Sequence, residues 1–217
     1  RPYGDFRGLG HQADPYRGAD QHLEGINGIG HHPAGGTFKQ AGPTGIPKYQ
    51  IAEQITTQEA VKWLQIHRAT SSDTRFMLSV HYPKPHFPLR PPAKWFRYYE
   101  STVKNALQPS RREDYADRPP VHRAAWEMYL GYGTTQDDLD RALAAYSGCI
   151  SYVDECIGHL LESLQHLGFA DDTLVIYSTD HGEMAGAHGL WHKQLFYEES
   201  AKVPLILSVP GIPQGET

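Results

Sequence analysis

The chain has 217 residues, enough for one large domain with a sizeable core. Its 20 Lys and Arg against 25 Asp and Glu give a formal charge of −5, without the basic face that marks nucleic-acid binding or polybasic attachment to a membrane. No apolar run approaches the ~18 residues of a membrane span, so none is expected, and Arg1–Gly10 is polar and Gly-rich, unlike a secretory signal peptide. Hydrophobic residues at 39% and charged residues at 21% are the composition of a globular domain. Thirteen histidines are an excess that points toward metal or acid–base chemistry, with surface drift as the plain alternative. The two cysteines, Cys149 and Cys156, rule out a disulfide framework. They fall in one helical pattern with roughly 10 Å of rise between them, beyond disulfide reach, and are expected as reduced core thiols.

In chain order, residues 1–55 form an irregular Gly- and His-rich stretch with neither helical nor strand period. Loops of this length usually line a site or await neighbours. Thr56-Thr57-Gln58-Glu59 reads as a capping box opening a helix, with Thr56 as N-cap and Glu59 at N3, and the helix ends near Arg68. Phe76–Tyr82 is an apolar run of strand length, halted by the proline-rich loop Pro83–Pro88. Residues 90–134 predict short helices and loops. A long helix follows from about Gln136 to Leu167, where Leu139, Leu143, Tyr146, Ile150, Val153, Ile157, Leu160 and Leu164 recur at helical spacing as one core face. Thr135 suits its N-cap and Gly168 its C′ position. Thr173–Ser178 and Pro204–Val209 predict two further strands. This order argues for an α/β domain with a largely parallel sheet covered by helices.

Asp180 and His181 come immediately after the predicted strand Thr173–Ser178, at its C-terminal end, where open α/β sheets place ligands. A carboxylate beside an imidazole offers two kinds of donor to one divalent cation. Alone, Asp-His-Gly is a weak signal and more often describes an Asp capping a turn beside a solvated histidine. Glu183 and His188 are candidates to orient ligands, with loop packing as the alternative. His192 reads as a neighbour of Lys193, and Trp95, Tyr98 and Tyr99 as packing residues or part of a substrate wall. His11, His22, His31 and His32 fit no defined metal motif.

The stretch DHGEMAGAHGLWHKQLFYEESAKVPLILSVPG, from Asp180 to Gly211, resembles the second signature region of the sulfatase family, within the alkaline-phosphatase-like superfamily. It carries the family's D-H-G, G-x-H-G-L-W-x-K, F-Y-E-x-S and V-P-L-I elements. Lys202 stands where Arg is commoner, which keeps the charge but not a bidentate contact. FMLSVHYPKPHFPLRPP resembles the family's strand and P-H-x-P loop, and the long helix with the following strand resembles the approach to its metal site. Choline-sulfatase-, iduronate-sulfatase- and phosphonate-monoesterase-like members share the Asp-His pair. The resemblance implies an alkaline-phosphatase-like fold, mostly parallel sheet flanked by helices, incomplete here, with residues 56–217 as its central-to-C-terminal part.

The same resemblance implies a metal-dependent sulfuric ester hydrolase. Asp180 and His181 would ligate a divalent cation, calcium foremost, with manganese and magnesium as alternatives. His86 and Lys193 would bind the sulfate and assist catalysis, neutralising its non-bridging oxygens and helping the leaving oxygen depart. The implied partner is a small-molecule or carbohydrate sulfate ester, with no nucleic acid and no membrane span; the sequence is silent on oligomeric state and compartment. The family's nucleophile is a formylglycine made within a C/S-x-P-x-R motif, and no such motif occurs. The expectation is therefore an internal fragment, inactive alone, whose nucleophile and remaining metal ligands lie upstream. Two rivals remain: a phosphonate or phosphate monoester hydrolase on the same scaffold, and a non-catalytic binder of sulfated ligands.

Overall fold

In the computed structural model, residues 41–44, 48–71, 74–129, 134–212 and 215 are described. The four N-terminal histidines considered above lie outside them. The described elements are α1 (Lys48–Thr70), α2 (Ala93–Glu100), α3 (Pro120–Tyr129), α4 (Gln136–His166), β1 (Val175–Ser178), α5 (Glu198–Ala201) and β2 (Leu205–Ser208). Among the described residues, no helix is long and apolar enough to cross a membrane.

α1 begins at Lys48, ahead of the start expected at Thr56. The Thr-Thr-Gln-Glu signal does not cap it. The hydroxyl of Thr57 instead donates back to the Glu53 carbonyl at 2.8 Å, which a mid-helix threonine can do without ending the helix. By contrast, α4 starts where the sequence indicates. The Thr135 hydroxyl accepts from the Asp138 amide, while the Asp138 carboxylate accepts from the Thr135 amide at 3.0 Å, a reciprocal box built with Asp at N3. Arg141 donates to the same carboxylate at 2.6 Å. At the other end Gly168 takes φ +72°, and its amide donates to Gln165.

α4 packs against both α1 and α2. Its buried face is rotated from the expected stripe and runs through Leu139, Ala142, Ala145, Cys149, Tyr152, Val153 and Cys156. Small residues occupy it because neighbours come close: a Cβ on Gly148 would lie 3.0 Å from the Pro91 ring. The larger apolar residues fall at its margin, and Ile150 is 46% exposed. Both cysteines are free and buried. One core cluster gathers Leu89, Phe96, Tyr115, Trp126 and Leu139 with Met184, Leu190 and Trp191 from the loop after β1. A smaller one joins Leu64, Leu164 and Phe169 to Trp63, Phe76 and Leu78.

β1 and β2 pair antiparallel, with Val175 opposite Ser208 and Ser178 opposite Leu205. The largely parallel sheet expected from the sequence is thus represented, among the described residues, by an antiparallel pair and one isolated parallel bridge, Thr44 to Pro92. Parallel neighbours need a crossover of a dozen or more residues that packs on the sheet. The segment from β1 to β2 contains a site loop and one turn of helix, and returns the chain in the opposite direction. Phe76–Tyr82 is not a strand. Its burial alternates residue by residue as a strand's does, but among the described residues it has no ladder partner.

Lys84 is buried, and so is Glu53 of α1. Neither Glu53 carboxylate oxygen completes a hydrogen bond of normal geometry. Burial therefore pushes the Glu53 carboxyl up, against the attraction of Lys84 and the nearby backbone amides of Glu53 and Lys84.

Candidate active site

Asp180 and His181 follow the last residue of β1 by two and three positions, at the C-terminal end of that strand. Asp180 is 83% exposed along its side chain and His181 35%. Slight burial works against the Asp180 charge. The neighbouring His181, with hydrogen bonds from the backbone and from the Thr179 hydroxyl, outweighs it and holds the carboxyl below its usual range. His181 Nδ1 lies 2.8 Å from the Gly182 carbonyl, which can only accept, so Nδ1 carries the proton. In the neutral ring the lone pair is then on Nε2, which sits 3.5 Å from Asp180 Oδ2. A hard carboxylate and an oriented imidazole nitrogen at this spacing suit a divalent cation. Among the described residues, no third His, Cys, Asp or Glu joins them.

Gly182 is required by a close approach rather than by its φ. Its amide donates to the Ser200 carbonyl at 2.9 Å, and a Cβ there would collide with the Glu199 carbonyl. Glu183, half-buried within the loop, accepts from the amides of His192 and Ala185. Desolvation raises its carboxyl pKa, opposed by those amides and by Lys193 and His181. His188 stacks on Tyr197 at 4.1 Å and approaches Glu199 at 3.7 Å, so it packs the loop.

His86 arrives from the proline-rich loop. Its Nδ1 lies 2.9 Å from the Phe87 carbonyl, so this nitrogen also carries a proton. Although the residue is at the surface, crowding of its ring lowers its pKa; the Phe87 contact raises it, Lys193 and His181 lower it, and Asp180 raises it. These mutual influences bring His86, Lys193, His181 and Asp180 into one electrostatic neighbourhood from two separate loops. Trp95 donates to Glu155 at 2.8 Å and Tyr99 bonds Ser151 at 2.8 Å, so both serve packing of α2 on α4. Sequence reasoning passes over Phe87 and reads His192 only as a neighbour of Lys193.

The sulfatase family profile matches residues 11–217. The chain belongs to the sulfatase family. It is 32% identical over 183 residues to a choline-sulfatase of Rhizobium meliloti, covering 79% of this chain and 35% of that protein. It is 30% identical over 177 residues to an iduronate 2-sulfatase of Mus musculus, covering 76% and 32% respectively. Among solved structures, a phosphonate monoester hydrolase of Agrobacterium radiobacter superposes with a TM-score of 0.61 at 28% identity, over 72% of this chain and 32% of that one. The chain thus spans about a third of the length of these relatives. Its fold is the alkaline-phosphatase-like α/β fold of sulfatases, present in part.

Proposed function

We propose that the complete protein is a metal-dependent sulfuric ester hydrolase acting on the sulfate monoester of a small molecule or carbohydrate. The observation that supports this reading is that Lys193, His181 and Asp180 all act electrostatically on His86, while His181 Nε2 lies 3.5 Å from Asp180 Oδ2 just after β1. In this reading Asp180 and His181 are two ligands of a divalent cation, calcium foremost. Asp180 supplies a carboxylate held ionised, and His181 the Nε2 lone pair that its Gly182 contact exposes. A bound cation would add fixed positive charge where the ester's oxygens gather negative charge.

Lys193 brings an ammonium to a non-bridging sulfate oxygen. His86, anchored through Nδ1, keeps Nε2 available; protonated, it can donate to a sulfate oxygen or to the departing alcohol oxygen. Such groups stabilise charge that develops in the transition state, and each is worth roughly 10²–10³ in rate where water is excluded. The formylglycine nucleophile of the family belongs, in this reading, to residues outside this chain.

The test is hydrolysis of an aryl sulfate by the complete protein, before and after chelation and with calcium restored. Loss on chelation and recovery with calcium support the proposal; turnover indifferent to chelation refutes its metal dependence. A second reading, phosphonate monoester hydrolysis, draws on the superposition with the Agrobacterium radiobacter enzyme. Preferential turnover of an aryl phosphonate would establish it instead.

A further inference from the structure

The two side chains assigned to the sulfate lie on different loops, and their immediate neighbours are stacked on each other. The ring of His192 covers that of Phe87, with centroids 4.4 Å apart and planes at 25°. His192 is buried, and its backbone is held on both sides: its amide donates to the Glu183 carboxylate and its carbonyl accepts from Met184 at 2.9 Å. It adopts φ +69°, a left-handed conformation that turns the chain sharply before Lys193. Phe87 is held in turn by an edge contact with Trp191 at 6.4 Å, and its carbonyl receives His86 Nδ1. Each sulfate-facing residue is therefore one peptide from a ring that is fixed against the other loop.

We propose that the His192–Phe87 stack is a brace that sets the spacing between Lys193 and His86, making His192 a positioning residue for the sulfate group. The inference rests on the assignment of His86 and Lys193 made above. A stacked aromatic pair resists sliding of one loop past the other, and a misplacement of about 1 Å can cost on the order of 10²-fold in rate. The role asks only for a flat ring at position 192, so the imidazole's acid–base character is not used.

The test uses the complete protein with two readouts: aryl sulfate turnover, and affinity for inorganic sulfate measured by calorimetry. The variants are His192→Ala, His192→Phe and Lys193→Ala, with the double variant His192→Ala/Lys193→Ala. His192→Ala should lower kcat and sulfate affinity about tenfold, and His192→Phe should restore most of both. The double variant should be little worse than Lys193→Ala alone, because the brace acts through the lysine. Sulfate affinity that follows this pattern without aryl sulfate turnover upholds the brace and refutes the sulfatase reading. Unchanged sulfate affinity in His192→Ala, no rescue by Phe, or full additivity with Lys193→Ala overturns the brace, whatever the turnover.

Discussion

The Gly182 amide is bonded to the Ser200 carbonyl at 2.9 Å, which fastens the residue after His181 to the short helix α5. Backbone lies so close that Gly182→Ala forces either β1's end or α5 to move. The substitution should cost about 1–3 kcal/mol, as overpacking commonly does. It should also weaken metal binding, because His181 is displaced. Urea denaturation and calcium titration check this; an Ala variant with the original midpoint and affinity would show that the contact is slack.

Asp180→Ala in the complete protein should abolish metal binding and hydrolysis together. Lys193→Ala should instead slow turnover by roughly 10²–10³, the usual cost of losing one charge-stabilising group, and leave metal affinity intact. Full activity in the first variant, or loss of metal in the second, would mean the roles are assigned wrongly.

Lys84 of the His86 loop and Glu53 of α1 are both buried, and the lysine's charge favours the ionised carboxylate without a direct side-chain hydrogen bond between them. Removing one partner of such a pair commonly costs about 3–5 kcal/mol, since the other is left uncompensated. Lys84→Met should accordingly lower the denaturation midpoint sharply, and Glu53→Met added to it should recover much of the loss. If the double variant is as unstable as the sum of the single ones, the two charges do not interact.

Acid should uncap α4. Burial disfavours the Asp138 charge, but the Thr135 hydroxyl and amide and the Arg141 guanidinium prevail and hold its carboxyl below the ordinary value of 3.8. A carboxyl lowered on folding stabilises fully above that ordinary value, and its contribution is lost as pH falls through the lower, folded value. Asp138→Asn should therefore cost roughly 0.5–2 kcal/mol near neutrality, the worth of an N-cap interaction. The gap to wild type should close in acid. A gap independent of pH would show that packing, not charge, makes the difference.

Which parts of this were legible in the sequence follows from the range of the interactions involved. The ends of α4 could be read because Thr135, Asp138 and Gly168 act on backbone within one turn of themselves. The same kind of signal misled at Thr56, since a Thr-x-x-Glu pattern also occurs inside a helix, where here the adjacent Thr57 hydroxyl bonds backwards to Glu53. Phe76–Tyr82 has a strand's pattern, but pairing is a property of two segments and cannot be read from one. At the site, Asp180 and His181 were visible from their place after a strand, whereas His86 and Lys193 came from the family's motif. The His192–Phe87 stack had no local signature, being a contact between loops far apart in the chain.

The β1–β2 ribbon has a practical consequence. Four residues per strand, with Ile176, Leu205, Ile206 and Leu207 each more than half exposed, bury too little for a hairpin to sustain itself in water. Among the described residues its outer edges have no strand partner, and such edges act as a template for any other extended chain. Prepared by itself at high concentration, this segment should associate strand to strand, and that tendency should fall away once neighbouring strands or loops occupy both edges of the ribbon.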